Sequence, residues 1–141
     1  LFRQTMFAEF ERRVHQLSES GEALTSDRLD DVYHGLKGEF YEPATLDDRI
    51  AREWMRIPHF YYSFYVYQYS TGISAAVSLV ESIREEGDPA AQRYREFLER
   101  GSHGYPLELL GDAGVDMTDS GPIEQAIDVY GEYLDEFEQL N

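Results

Sequence analysis

The chain has 141 residues, 42% of them hydrophobic, which is enough for a packed core and argues against disorder. It contains no cysteine, which excludes a disulfide framework and a thiolate metal site and fits a reducing, cytoplasmic compartment. Its formal net charge is −16, from 28 acidic and 12 basic residues, so it offers no basic patch for nucleic acid.

Phe2, Met6, Phe10, Val14 and Leu17 recur at four- and three-residue steps and predict an amphipathic helix that Gly21 ends. The chain opens at Leu1 inside this helix, with no Met and no signal segment before it, and is expected to be a piece of a longer protein. Thr25 or Ser26 can cap a second helix with the stripe Leu29, Val32, Tyr33, Leu36 and Phe40, and Glu42-Pro43 breaks it. Thr45 is expected to cap a short helix carrying Leu46, Ile50 and Trp54. Pro58 kinks or restarts the chain. From about Phe60 to Glu86 the spacing allows one long helix, weakened locally by Gly72 and closed by Gly87. Asp88-Pro89 starts a helix with Tyr94, Phe97 and Leu98. Residues 101 to 106 read as a loop, and a short helix follows around Leu107 to Leu110. Gly121-Pro122 opens a last helix with Ile123, Ile127, Tyr130, Leu134 and Phe137. No alternating strand pattern and no repeat occurs, so the fold class is expected to be all-α.

No Asp, Glu, Lys or Arg falls between Arg56 and Glu81. That length could span a bilayer, but the stretch is rich in Tyr, Ser, Thr, Gln and His rather than aliphatic residues, so no membrane segment is expected. A buried helix lining a cleft accounts better for the missing charges. Lys37 is the single lysine of the chain; such acid-rich, lysine-poor composition resembles halophilic proteins. Self-repulsion on this scale is relieved in molar salt, where the Debye length shrinks to ~3 Å.

The segment from Ile57 to Gly72 places five tyrosines and His59 in one short stretch after Pro58. A buried phenol needs a hydrogen-bond partner, so such a cluster suggests a wall that touches polar ligand atoms. If the segment is helical, Tyr62, Tyr65 and Tyr69 share one face with His59 at its top, while Tyr61 and Tyr67 point elsewhere and Phe64 lies off the stripe. Phenols aimed at a developing oxyanion stabilise it. The alternative is a core face whose hydroxyls bond to backbone or water. The four histidines, His15, His34, His59 and His103, share no i, i+4 relation, and no H-E-x-x-H occurs, so no metal site is expected in this chain. His103 lies in a Gly-rich connector and receives no role.

Three blocks carry more than periodicity: Phe2 to Glu11, Trp54 to Gly72, and Tyr105 to Leu110 with Ala113 to Met117. In this order they resemble the C-terminal part of oligoendopeptidase F, of the thimet-oligopeptidase-like zinc metallopeptidases. The resemblance covers nearly the whole chain. It implies a helical peptidase enclosing a channel, with residues 1–141 as the C-terminal part of the catalytic domain and without the zinc-binding motif. It implies that zinc in the full-length enzyme is held upstream, by H-E-x-x-H and a later Glu. It also implies that His59 and Tyr65 steady the tetrahedral intermediate and that Tyr62 and Tyr69 bind the backbone of short peptide substrates. Relatives often have Pro at the position of Ser63, a departure that bears on the local backbone. The expected partners are peptides and the missing N-terminal half of the same protein. A homodimer of the piece is possible, and the piece alone is expected to be inactive. The alternative is a standalone non-catalytic all-α binding or dimerisation module, with the tyrosine face as its contact surface.

Overall fold

The computed structural model describes residues 1–140, and they are all-α, as the periodicity predicts. The chain divides into two compact units, the first spanning Leu1–Ser70 and the second beginning at Thr71.

The first unit holds α1 (Phe2–Glu19), α2 (Ser26–Tyr41) and 3-10 helices at Asp48–Arg56 and Pro58–Tyr61. Thr25 caps α2 as expected, its hydroxyl accepting the Arg28 N–H at 3.3 Å. Gly21 closes the turn after α1 with a φ of +85°, a conformation glycine adopts without steric cost. Asp47 rather than Thr45 caps the next segment: its Oδ1 accepts the Arg49 N–H at 2.8 Å and its carboxylate also binds the Arg49 guanidinium. The segment is a 3-10 helix, in which residues three apart eclipse, so Ile50, Glu53 and Arg56 line one edge.

The core of this unit is aromatic. Met6, Phe7 and Phe10 of α1 meet Tyr33 and Leu36 of α2 and Val66, with Trp54, Ile57 and Phe60 packed around them. Phe10 lies 5.1 Å from Tyr33 at 85° and 5.1 Å from Phe60, the tilted geometries that ring quadrupoles favour. Phe7 replaces Phe2 in the predicted stripe, and Phe2 is 45% exposed. Beside this core, against Tyr33, sits the buried carboxylate of Glu53. It accepts the Tyr33 O–H at 2.7 Å, pairs with Lys37 at 2.8 Å and Arg3 at 2.7 Å, and meets Arg56 at 3.3 Å. Burial alone would raise its pKa; hydrogen bonds from Lys37, Tyr33 and Arg3 outweigh that and hold it at about 2. Burial, with Glu53 beside it, pushes the Tyr33 phenol up. The single lysine of the chain is therefore a buried ion-pair partner.

The predicted helix from Phe60 to Glu86 is corrected: α3 runs Gln68–Glu86. Ser63 and Phe64 have φ of +45° and +58°, whereas a helix needs about −63°. The Phe64 N–H leaves the helical ladder and donates instead to Glu11 Oε1 at 2.8 Å. The charge-free stretch is thus a 3-10 turn, a bend and the first part of α3, not one buried helix.

The second unit contains most of α3, then α4 (Asp88–Arg100), α5 (Pro106–Asp112) and α6 (Gly121–Gln139). Pro89, Pro106 and Pro122 stand in the first helical turns, where a missing N–H costs nothing. Its core is small: Ala75, Leu79, Ala113 and Val115, with Tyr94, Phe97, Leu110 and Met117 against them. Ser78 of α3 donates to Gln125 of α6 at 2.6 Å. The predicted apolar stripe of α6 is not core in this chain. Ile123, Ile127 and Leu134 are 39%, 44% and 46% exposed, because the helix turns Ala126 inward. Among the described residues no helix is long and apolar enough to cross a membrane.

Candidate functional site

The site lies in the first unit and is built by a chain reversal. Pro58 starts the 3-10 turn Pro58–Tyr61, and the Tyr62 N–H closes it on the His59 carbonyl at 3.0 Å. Ser63 and Phe64 then reverse the backbone through left-handed conformations. Val66, fully buried, pins the returning strand of chain to the core. Turn bonds from Gln68 to Tyr65 and from Tyr69 to Val66 lead into α3.

This path gathers four rings. His59 stacks on Tyr65 at 5.8 Å and 9°. Tyr62 meets the imidazole edge-on at 6.0 Å and Tyr69 at 5.5 Å. Tyr65 is edge-on to Tyr62 at 6.2 Å and to Tyr69 at 5.6 Å. Tyr69 Oη and His59 Nε2 are 3.1 Å apart, a hydrogen bond whose donor depends on the tautomer. The hydrogen-bonded neighbour Tyr65 raises the pKa of Tyr69, so the Tyr69 phenol keeps its proton near neutrality. Tyr62, Tyr65 and Tyr69 are 59%, 38% and 43% exposed, so the group faces outward.

The structure therefore brings together His59, Tyr62, Tyr65 and Tyr69, though not along a helix face. Tyr61 stands apart at 79% exposure. Phe64, off the group, packs its ring on His15 at 4.2 Å. His103 binds its own helix end, Nδ1 to the Arg100 carbonyl at 3.0 Å. The Nε2 of His34 is buried without a partner. Among the described residues no group of three or more His, Asp or Glu side chains is placed to hold a metal ion. The chemistry on offer is hydrogen-bond donation: phenol O–H groups and an imidazole converging on one small surface.

Periodicity missed two residues that shape this region, Glu11 and Glu53. Glu11 did leave a signal: it stands four residues after Phe7 and three before Val14, on the apolar side of α1. Glu53, within a 3-10 helix, left none in a 3.6-residue period.

An all-helical chain with an imidazole ringed by phenols is the setting in which the comparisons fall. A family model for peptidase family M3 matches residues 1–129, and the chain belongs to that family. It is 50% identical over 141 residues to oligopeptidase PepF of Bacillus subtilis, covering 99% of this chain and 21% of that protein. It is 42% identical to an oligoendopeptidase F homolog of Lactococcus lactis, covering 99% of this chain and 24% of that protein. The crystal structure of oligoendopeptidase-F from Enterococcus faecium superposes with a TM-score of 0.94 at 46% identity, over 99% of this chain and 27% of that one. The chain thus spans about a fifth to a quarter of the length of these relatives.

Proposed function

We propose that this chain forms the C-terminal part of the catalytic domain of an oligoendopeptidase F-like zinc endopeptidase that hydrolyses short peptides in the cytoplasm. The observation that carries it is the ring group, in which three phenols surround one imidazole. The names of the similar proteins support the reaction class. His59 and Tyr65 donate hydrogen bonds to the scissile carbonyl oxygen as it becomes an oxyanion. These contacts strengthen with the developing charge and so lower the barrier rather than tighten ground-state binding. Tyr62 and Tyr69 hold the peptide backbone, and Tyr69 also fixes the imidazole through its 3.1 Å contact. The described residues do not fit a zinc site, so the metal belongs to the remainder of the longer protein.

Three further properties belong to the same reading. The isolated piece is inactive. Two copies of it can pair through exposed apolar residues such as Ile123, Ile127 and Leu134. The charge of −16 marks a protein suited to high salt.

The test is steady-state cleavage of a fluorogenic peptide by the longer peptidase carrying Tyr65→Phe. Losing one oxyanion donor lowers turnover by ~10²–10³, with the Michaelis constant nearly unchanged. Tyr61→Phe, at an exposed position outside the ring group, retains turnover. Near-normal turnover in Tyr65→Phe would overturn the proposal.

A further inference from the structure

Two consecutive residues other than glycine in left-handed conformations are costly, and Ser63 and Phe64 are such a pair, at φ of +45° and +58°. Such strain persists only where surrounding groups over-determine it. The surroundings here are on α1. Glu11 is 3% exposed and accepts the Phe64 N–H at 2.8 Å. One turn on, the His15 ring lies against the Phe64 ring at 4.2 Å, and its Nδ1 is 2.8 Å from the Glu11 carbonyl oxygen. A buried carboxylate takes a backbone N–H as a charge-assisted bond, roughly twice as strong as a neutral one. The bend it holds stands between Tyr62 and Tyr65, the two residues whose rings must fold back onto His59 from opposite ends of the reversal. Without that bond the Phe64 N–H is free to continue the 3-10 turn, and the φ of Ser63 and Phe64 can relax to negative values. Tyr65 then leaves the face of the imidazole.

We infer that Glu11 is a positioning residue: its buried carboxylate holds the strained Ser63-Phe64 bend and thereby stacks Tyr65 on His59. The inference rests on the oxyanion-donor reading for its consequence in catalysis, but not for its geometry. Glu11 touches no reacting atom in this scheme and acts through the backbone of Phe64.

The experiment has a structural arm and a kinetic arm. In the 141-residue chain, NMR follows the ring contact between His59 and Tyr65 and the strong intraresidue Hα–HN contact that reports a positive φ at residues 63 and 64. Glu11→Ala abolishes both signals. Glu11→Gln keeps an acceptor oxygen of the same shape and retains them. Adding Ser63→Gly to Glu11→Ala restores the ring contact in part, because glycine adopts positive φ without the steric cost. A role for Glu11 in core packing alone predicts no such rescue. Should Glu11→Ala not fold, Ser63→Val carries the test, because a β-branched residue at an exposed left-handed position opposes the bend and leaves the core intact.

In the longer peptidase, Glu11→Ala lowers turnover on the order of tenfold to a hundredfold, the size expected for a misplacement of about 1 Å. Glu11→Gln loses much less, and Ser63→Gly recovers part of the Glu11→Ala loss. Retention of the ring contact and the positive φ values in Glu11→Ala overturns the inference, as does a loss that Ser63→Gly fails to recover. Loss of the ring contact with turnover intact leaves Glu11 as the holder of the bend and overturns the oxyanion reading instead.

Discussion

Two aromatic groups in the first unit are built from similar residues and behave in opposite ways. Phe7, Phe10, Tyr33 and Phe60 pack edge-on or tilted against one another, and the one phenol among them donates its O–H to the buried Glu53. His59, Tyr62, Tyr65 and Tyr69 pack at similar ring distances but at the surface, where the hydroxyl of Tyr69 bonds within the group to His59. In the first group, burial makes each ring a source of stability and forces the hydroxyl to find a protein partner. In the second, exposure limits the stabilising value of the rings, and the Tyr69 hydroxyl bonds to the half-buried His59 rather than to a buried carboxylate. Similar ring geometry therefore says little about role; solvent access and the partner of the hydroxyl distinguish the two.

The comparison can be broken most sharply with Phe10→Ala. Phe10 is 3% exposed and touches three other rings, so its removal should cost about 3–5 kcal/mol of stability. A urea melt of the chain measures it, and a cost near zero would show that the interior group does not carry the core. Tyr65→Phe should do the reverse, leaving the melt unchanged while turnover of the longer peptidase falls.

Next in size is Tyr33→Phe. It removes one donor from a buried carboxylate and should cost about 1–3 kcal/mol. Tyr69→Phe removes a hydroxyl from the exposed group and should leave the same melt almost unmoved. Equal losses in the two variants would erase the distinction between the groups.

Acid sharpens the same contrast. Glu53 is held at about 2 against an ordinary glutamate value of ~4.3. A depressed folded pKa means that the ionised form is bound more tightly in the folded state. The stability it contributes is fully present above ~4.3 and is lost as pH falls towards about 2. Glu9, held at about 2 chiefly by its hydrogen bond to Arg12, adds to the same limb. Melting temperature should therefore fall steeply between pH 4 and 2, and Tyr33→Phe should flatten that fall because Glu53 then loses one of the donors that depress it. An acid limb identical to wild type would remove Glu53 as its cause.

The smallest effect is expected from salt. With a charge of −16 the melt should move upward from dilute buffer to molar KCl. Equal melting temperatures would reject a salt-adapted surface.

Much of this molecule was legible in its sequence. Local chemistry set the helices: Thr25 at a cap, Gly21 and Gly87 at positive φ, and Pro89, Pro106 and Pro122 in first turns. Each acts over a few neighbouring residues, so spacing alone reveals it. The identity of the ring group, His59 with Tyr62, Tyr65 and Tyr69, was also legible, but for a reason the structure replaces. A helical repeat and a backbone reversal both return these positions to one side, and periodicity does not distinguish them. The tertiary structure decided the reversal, because the acceptor of the Phe64 N–H is Glu11, 53 residues away. It likewise decided the fate of Lys37, whose position in the chain shows a lone cation and whose folded surroundings supply Glu53 at 2.8 Å. Long-range partners of single polar groups leave no period in a sequence, because the two residues meet only once the chain has folded.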